Sequence, residues 1–457
     1  MTLKYWARAI CPSLLAIIRG NSAEQSIPEL GIHMPDDIAL SQPFIKGRGS
    51  DFCRGCNGTK LFSALDLGIL PIANELLVSQ ASEIEKFPLH LCVCPECGLG
   101  QVADVVTPER IFRDYRYLSS ISTTFLQHAS SYVEQRVQEG MFAPGEWVLE
   151  IASNDGYLLK NFLKHNIKVL GVEPAENVAE VSKKLGINTI SEFFSSRLAA
   201  EILQEYGYPK LIIANNVLAH VPDLIDFIKG LSVLCGPETK ISIENPSLAN
   251  ILLGMQFDTI YHEHYSYLSA FTVAKLGKLH DLQLLTVEEL TIHGGSNRYW
   301  LSKFGSSNVT DEQVEKIIEG EISNGLFNPE DWASYSEKVT KILSNFLLWL
   351  RDAKVNGGRI YGYGAAAKAS TILNSTNVAI GLISAIADAS QEKQSRFMPP
   401  DGIEIISPQE LFSKEPTDVV IFPWNIKNEI AEFLRENLNS QTRLWCAIPH
   451  MHEVGIR

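Results

Sequence analysis

Short continuous apolar runs alternate along the chain with segments of helical spacing. Trp147–Ile151 is such a run, long enough for a buried strand, and it ends in the polar turn Ser153-Asn154-Asp155-Gly156. A helix is predicted over Tyr157–His165, with Leu158, Leu159, Phe162 and Leu163 on its apolar side. The next strand is Lys168–Val172, closed by Glu173-Pro174, and the next helix Val178–Leu185, with Gly186 suited to its C-terminal cap. Leu211–Ala214 and Lys240–Glu244 are further apolar strands. Strands that alternate with helices predict a parallel sheet covered on both faces. The pattern resumes near the C-terminus, with a strand over Arg359–Gly364, a helix over Ala365–Leu373 and strands over Ile380–Ala387 and Val419–Phe422. Asp311–Val355 between the two units is mostly helical in spacing.

At 457 residues the chain exceeds one compact core. The plan is α/β: an N-terminal domain over 51–125 whose two Cys-x-x-Cys pairs mark it as zinc-binding, a Rossmann-like domain over 126–306 and a second Rossmann-like α/β domain over 307–457. Residues 1–50 form an extension outside the fold. Its apolar stretch Ala9–Ile18, between Arg8 and Arg19, has no small-residue cleavage site after it, which argues against a secretion signal. Acidic residues outnumber basic ones by 53 to 39, a net charge of −14, which excludes a uniformly basic nucleic-acid binder. No uncharged apolar run approaches the roughly 18 residues of a membrane-spanning helix.

Four of the eight cysteines fall in two pairs, Cys53-x-x-Cys56 and Cys94-x-x-Cys97, with 37 residues between them. Two such turns present four thiolates to one tetrahedral zinc, with Gly98 relaxing the second knuckle. A pair of redox motifs is the competing reading. Cys92 lacks the knuckle spacing, and Cys11, Cys235 and Cys446 are expected to serve as small apolar residues. Four sulfurs leave no open position, so the zinc is structural, and its thiolates imply a reducing, cytoplasmic setting.

Glu150, Ala152, Ser153, Asn154, Asp155 and Gly156 stand at the end of the first strand of the central unit, and Glu173 ends the second. Small residues there let a nucleoside ligand approach the backbone, and a carboxylate after the second strand can accept both hydroxyls of a ribose. The arrangement resembles motif I and the acidic loop of class I S-adenosylmethionine-dependent methyltransferases. The usual Glu/Asp-x-Gly-x-Gly-x-Gly has Ala152 and Asn154 at its first two glycines, and Ala152 suits the turn if its φ is negative. S-adenosylmethionine stands ahead of NAD on these residues.

Two polar clusters narrow the reading. Asn215-Asn216-Val217-Leu218-Ala219-His220 follows a strand that should end at the cofactor crevice, which makes Asn216 a cofactor contact. Tyr261-His262-Glu263-His264-Tyr265-Ser266-Tyr267 is the other, preceded by Glu244-Asn245-Pro246. With the paired cysteines, Pro71-Ile72-Ala73-Asn74, Tyr115-x-Tyr117-x-Ser119-Ser120, His293-Gly294-Gly295-Ser296 and Gly362-Tyr363-Gly364-Ala365-x-x-Lys368, they resemble the sugar C-methyltransferases that act on nucleotide-linked 4-keto-deoxyhexoses. Asp388 with Lys393, and Trp424-Asn425 with Glu429, extend the match, which runs from about Phe52 to the C-terminus.

The resemblance implies S-adenosylmethionine as cofactor, a structural Zn2+, and a nucleotide-sugar partner linked to dTDP. It also implies methylation at C3, where the neighbouring ketone acidifies the proton and an enolate carbon attacks the sulfonium methyl. His264 is the favoured base, with His220 as the competitor, and Tyr117, Tyr261 and Glu263 around the sugar; Glu263 would orient or tune an imidazole. Ser395 and Pro399-Pro400 depart from the family's glycines in a loop that bears on substrate choice. The Gly362-x-Gly364 turn with Asp388 imitates a dinucleotide site with two glycines of three, and its expected use is to help hold the nucleotide-sugar. Lys368, His293 and Arg298 each divide between a phosphate contact and a solvated side chain. Methylation of another acceptor at oxygen or nitrogen, and a non-catalytic nucleotide-binding protein, are the alternatives.

Overall fold

The computed structural model describes residues 51–457 apart from 81–83, 104–105, 108–119, 121–122, 377, 379–380, 400–401 and 456–457. The extension expected over 1–50, with Cys11, and the candidate Tyr117 lie outside the described residues.

Three sheets organise the described chain. The first strands are β1 (Phe62–Pro71), β2 (Lys86–Val93) and β3 (Gly100–Val102), an antiparallel set. The central strands follow as β4 (Trp147–Ile151), β5 (Lys168–Val172), β6 (Asn188–Ile190), β7 (Leu211–Asn215) and β8 (Lys240–Pro246). After them come the two-residue β9 (Ser266–Tyr267), then β10 (Leu282–Leu290) and β11 (Ser296–Lys303). The central sheet has the order β10-β11-β8-β7-β4-β5-β6, with β4 to β8 parallel and β10 and β11 antiparallel. Val148, Leu149, Leu211, Ile212, Ile213 and Ala214 are buried, as strands covered on both faces require.

The chain leaves β4 in one direction through β5 and β6, then crosses to its other side with β7 and β8. The switch point therefore lies between β4 and β7, and a ligand crevice is expected outside the carboxyl ends of these strands. The helix expected over Tyr157–His165 is shorter, Leu159–Leu163. Gly156 at φ +78° sits in the left-handed region just before it, so the chain is still turning at Tyr157 and Leu158.

The C-terminal sheet is built from β12 (Ile360–Tyr363), β13 (Ile386–Ala387), β14 (Phe397–Met398), β15 (Ile403–Ile406), β16 (Asp418–Ile421), β17 (Arg443–Cys446) and β18 (His452–Glu453). Its order is β14-β15-β13-β12-β16-β17-β18, so it has a switch point of its own between β12 and β16. Of the strand expected over Ile380–Ala387, Ile386–Ala387 is formed, and Gly381 at φ +92° bends the chain ahead of it.

The sheets share their cores. β9 completes the first sheet by pairing with β3, Gly100 opposite Tyr267, although in sequence it lies between β8 and β10 of the central sheet. Leu65, Leu89 and Leu91 of that sheet pack in one core with Trp332 and Phe346 of the long helix Pro329–Val355 and with Ile386 and Phe422. Cys53, Cys94 and Cys97 belong instead to the core of the central sheet, with Leu99, Leu149 and Ile212.

Candidate active site and metal centre

The metal centre is assembled by two hairpin knuckles. The Cys94 carbonyl accepts from Gly98 N–H at 2.8 Å, and the Cys53 carbonyl from Asn57 N–H at 2.9 Å. Gly98 turns at φ +77°, and a Cβ there would press on Phe271, Phe327 and Thr272. The Sγ atoms of Cys53, Cys56, Cys94 and Cys97 all lie within 4.8 Å of one another. Four thiols converging without disulfides fit a tetrahedral zinc and leave no place for substrate. Cys92 stands apart beside His90, its Sγ 3.7 Å from that ring's Nε2.

At the carboxyl ends of the central strands, the turn after β4 is held by Glu173. One carboxylate oxygen accepts from Asn154 N–H at 3.0 Å and the other from Ala175 N–H at 2.9 Å. Each oxygen keeps a second lone pair, so Glu173 can brace the loop and still accept from a ribose. Ala152 corrects the sequence reading: its φ is +57°, left-handed rather than negative, and the turn takes it there regardless. Asn154 at +49° and Asn216 at +53° share the conformation, which asparagine tolerates better than alanine.

Burial pushes the Glu150 carboxyl well above the usual range, and Asp155 and Glu173 push it further. Glu173 is raised for the same first reason, against its two main-chain donors. Around this turn, six buried side-chain atoms have no hydrogen-bond partner among the described residues: Glu150 Oε2, Ser153 Oγ, Asp155 Oδ1, Asn215 Oδ1, Asn216 Nδ2 and Asn245 Oδ1. Polar atoms left unmatched in a core are costly unless a ligand or water satisfies them. Their concentration at the switch point fits a polar nucleoside, and the carboxyls suit one that carries a sulfonium and an ammonium group.

A second polar cluster adjoins the end of β7. The turn Tyr261–His264, closed by His264 N–H to the Tyr261 carbonyl at 2.9 Å, brings those two rings to 3.9 Å between centroids. The Tyr261 hydroxyl lies 2.7 Å from His264 Nε2, while His264 Nδ1 lies 2.9 Å from the Thr259 carbonyl. A carbonyl only accepts, so Nδ1 carries the proton and Nε2 presents its lone pair to the phenol. His220 sits in the loop after β7, its ring 4.8 Å from that of His264. Its Nδ1–H donates to the Glu263 carbonyl at 2.7 Å, and burial pushes its pKa down to about 4.

The contact between Glu263 and an imidazole is made by that main-chain carbonyl. Its carboxylate turns instead to Asn74 N–H at 3.0 Å, and burial raises its pKa. His262 points away from the cluster, donating from Nε2 to the Phe87 carbonyl at 3.1 Å.

The structure also places residues that the sequence left divided. Arg298 is neither solvated nor open to a phosphate: it is buried between Glu244 at 2.7 Å and Glu288 at 2.8 Å, with its guanidinium 4.6 Å from the Tyr132 ring centroid. Burial alone would raise the Glu244 carboxyl, but His128 and Arg298 outweigh it and hold it low. Lys368 is half-buried and donates to Thr259 Oγ1 at 2.9 Å, so it is not a solvated side chain either. The side chain of His293 lies outside the described residues. At the Gly364 turn, Asp388 accepts from Ala365 N–H at 2.8 Å and Ser390 N–H at 2.9 Å, so the carboxylate braces its own loop. Sequence reasoning missed Asp258, fully buried and bonded by Trp424 Nε1 at 2.7 Å; a polar residue just ahead of the Tyr-His-Glu-His run was the available signal.

Comparison with known proteins adds three matches along the chain. Residues 53–112 match a family described as "Putative zinc binding domain", residues 125–287 a methyltransferase domain, and residues 291–449 the C-methyltransferase C-terminal domain. The C-methyltransferase NovU of Streptomyces niveus is 29% identical over 404 residues, which are 88% of this chain and 96% of that one. Among solved structures, an S-adenosylmethionine-dependent methyltransferase from Anabaena variabilis is 17% identical, covering 38% of this chain and 84% of its own at a TM-score of 0.30. Magnesium protoporphyrin IX methyltransferase from Synechocystis, with bound S-adenosylhomocysteine, is 15% identical, covering 43% and 92% at a TM-score of 0.31.

Proposed function

Because the chain belongs to the S-adenosylmethionine-dependent C-methyltransferases that carry these three domains, we propose that it methylates C3 of a dTDP-linked 4-keto-deoxyhexose. The observation that carries this reading is the Tyr261–His264 pair at 2.7 Å beside the cofactor crevice. Oxygen or nitrogen acceptors need no carbon-acid base; a carbon acceptor does.

S-adenosylmethionine, when bound at the β4–β7 crevice, supplies an electrophilic methyl group. Glu150, Asp155, Glu173 and Asn216 hold it, with Ala152, Ser153, Asn154 and Gly156 shaping the loop against it. The chain's own task is to make the sugar carbon a nucleophile. The C3 proton passes to the Tyr261 oxygen as the phenol gives its own proton to His264 Nε2, so the imidazole ends protonated and the C–H electron pair enters the enolate. His264 Nδ1–H on the Thr259 carbonyl fixes the tautomer that leaves Nε2 able to receive it. His220 is the poorer base, because burial has already pushed it down to about 4. Its Nε2 suits a sugar hydroxyl. Tyr117 is assigned to sugar binding on resemblance alone, and Glu263 holds Asn74 and His220 in position.

The test mixes the full chain with a panel of dTDP-4-keto-deoxyhexoses and methyl-labelled S-adenosylmethionine, and locates the label by NMR. Label on a quaternary sugar carbon is the expected result. Label on oxygen would refute the carbanion, and absence of transfer with cofactor bound would remove the sugar. His264→Asn is expected to abolish solvent exchange of the C3 proton with cofactor affinity unchanged.

A further inference from the structure

Three consecutive residues ahead of the Tyr261–His264 turn are each held by a side chain from the C-terminal domain. Asp258 Oδ2 accepts from Trp424 Nε1 at 2.7 Å. Thr259 Oγ1 accepts from Lys368 Nζ at 2.9 Å. The Ile260 carbonyl accepts from Thr371 Oγ1 at 3.2 Å. Lys368 and Thr371 lie one turn apart on the helix Ala367–Ser375, which follows the Gly364 turn, and Trp424 follows β16. Both ends of this grip thus come from the switch point of the C-terminal sheet.

The grip is internally braced. Lys368 Nζ lies 4.8 Å from the Trp424 ring centroid, a cation–π distance. Asp258 is fully buried, which raises its carboxyl against the opposing pull of Lys368 and Trp424, and its Oδ1 has no partner among the described residues. Trp424 is fixed from its other edge by Gly294, whose φ of +90° brings the backbone where a Cβ would collide with the indole. The carbonyl of Thr259, the middle residue of the three, is the acceptor of His264 Nδ1–H at 2.9 Å. Lys368 thus holds the side chain of the residue whose carbonyl meets His264 Nδ1.

We propose that Lys368, with Thr371 and Trp424, is a positioning device: the C-terminal domain fixes the Thr259 carbonyl and so sets which nitrogen of His264 faces Tyr261. Lys368 acts through Thr259 and is not a catalytic residue. The proposal deepens the reading of His264 as base and rests on it for its kinetic consequence, though the effect on the tautomer stands independently. A carbonyl displaced by about 1 Å would leave Nδ1–H without its acceptor, let the ring rotate or change tautomer, and lower the exchange rate about tenfold to a hundredfold.

The experiment uses the full chain labelled with 15N-histidine, with the His264 ring signals identified by their loss in His264→Asn. The wild type is expected to show Nδ1 protonated and Nε2 as the bare nitrogen. Lys368→Met and Thr259→Val, the second a near-isosteric change that removes only the acceptor of the lysine, are expected to shift His264 towards a tautomer mixture. Lys368→Arg should return the wild-type pattern. In the same proteins the C3 exchange kcat should fall at least tenfold with little change in KM. Unchanged His264 ring signals in folded Thr259→Val would overturn the proposal, whatever Lys368→Met does. Wild-type exchange in His264→Asn would instead overturn the reading of the base, while the nitrogen signals would still decide the positioning role.

Discussion

Single residues carry more of this site than their side-chain chemistry suggests. Ala152 occupies a left-handed conformation at φ +57°, which for a residue with a Cβ costs about 1–2 kcal/mol. Ala152→Gly removes that strain, partly offset by the greater freedom of glycine in the unfolded chain, and should raise stability by about 0.5–1 kcal/mol with cofactor affinity little changed. Ala152→Val should lower it by more than that. Denaturant midpoints of the two variants check the pair. His262 allows a second test, because burial pushes it down to about 4 from an ordinary value of 6.5. Above 6.5 it is neutral in both folded and unfolded chains and contributes no pH dependence. Between 6.5 and 4 the unfolded chain takes a proton that the folded one refuses, so stability falls on acidification, by about 3 kcal/mol across the window. His262→Gln keeps an N–H for the Phe87 carbonyl without titrating. Its stability should therefore fall less steeply from pH 7 to 4 than the wild type's, and equal slopes would refute the assignment.

Elements were legible in the sequence to the extent that their burial is local. The strands β4, β5 and β7 are covered on both faces and are written as mostly apolar runs, while β8 alternates Ile241 and Ile243 with Ser242 and Glu244; the expected spans of all four agree with the observed ones to within two residues at either end. The cysteine knuckles were equally readable, since four ligands within two short turns need no long-range information. β9 was not readable: a two-residue strand that pairs with Gly100 and Gln101 from far along the chain has no local pattern. Arg298 failed for the same reason, because its partners arrive on neighbouring strands and not on its own. Glu244 on β8 and Glu288 on β10 flank it on β11 as registered neighbours, and His128 closes on Glu244 at 3.0 Å from the helix Thr123–Gln138. This network joins three strands and a helix in the interior, where breaking one partner leaves a buried charge. Arg298→Met should cost about 3–5 kcal/mol in chemical denaturation. Adding Glu244→Gln to Arg298→Met should recover part of that loss, and a double variant no more stable than the single would show that packing, not charge, holds the junction.

At the scale of the whole molecule, the metal centre and the proposed chemistry share a frame. Cys53, Cys94 and Cys97 pack in the same core as the central sheet, and the strand that leaves the second knuckle, β3, pairs with β9. β9 begins two residues after His264, and the zinc-bearing sheet thereby fixes the exit of the turn whose entrance is held by Lys368, Thr371 and Trp424. Arg54, inside the first knuckle, strengthens the tie by donating to the Val102 carbonyl at 2.8 Å and to that of Tyr265. Zinc removal should therefore affect the Tyr261–His264 pair as well as the knuckles. Stripping the metal with a thiol-reactive mercurial and a chelator should release one zinc per chain, lower the unfolding temperature of the whole described fold, and reduce the proposed C3 proton exchange at least tenfold. Restoring zinc to the reduced protein should return both. The cofactor crevice, built on β4 and β7 and braced by Glu173 within its own loop, should retain more of its affinity than the exchange reaction retains of its rate. If exchange survived intact in zinc-free protein while the melting temperature fell, β9 would hold its place without the metal, and the turn would owe its geometry to the C-terminal grip alone.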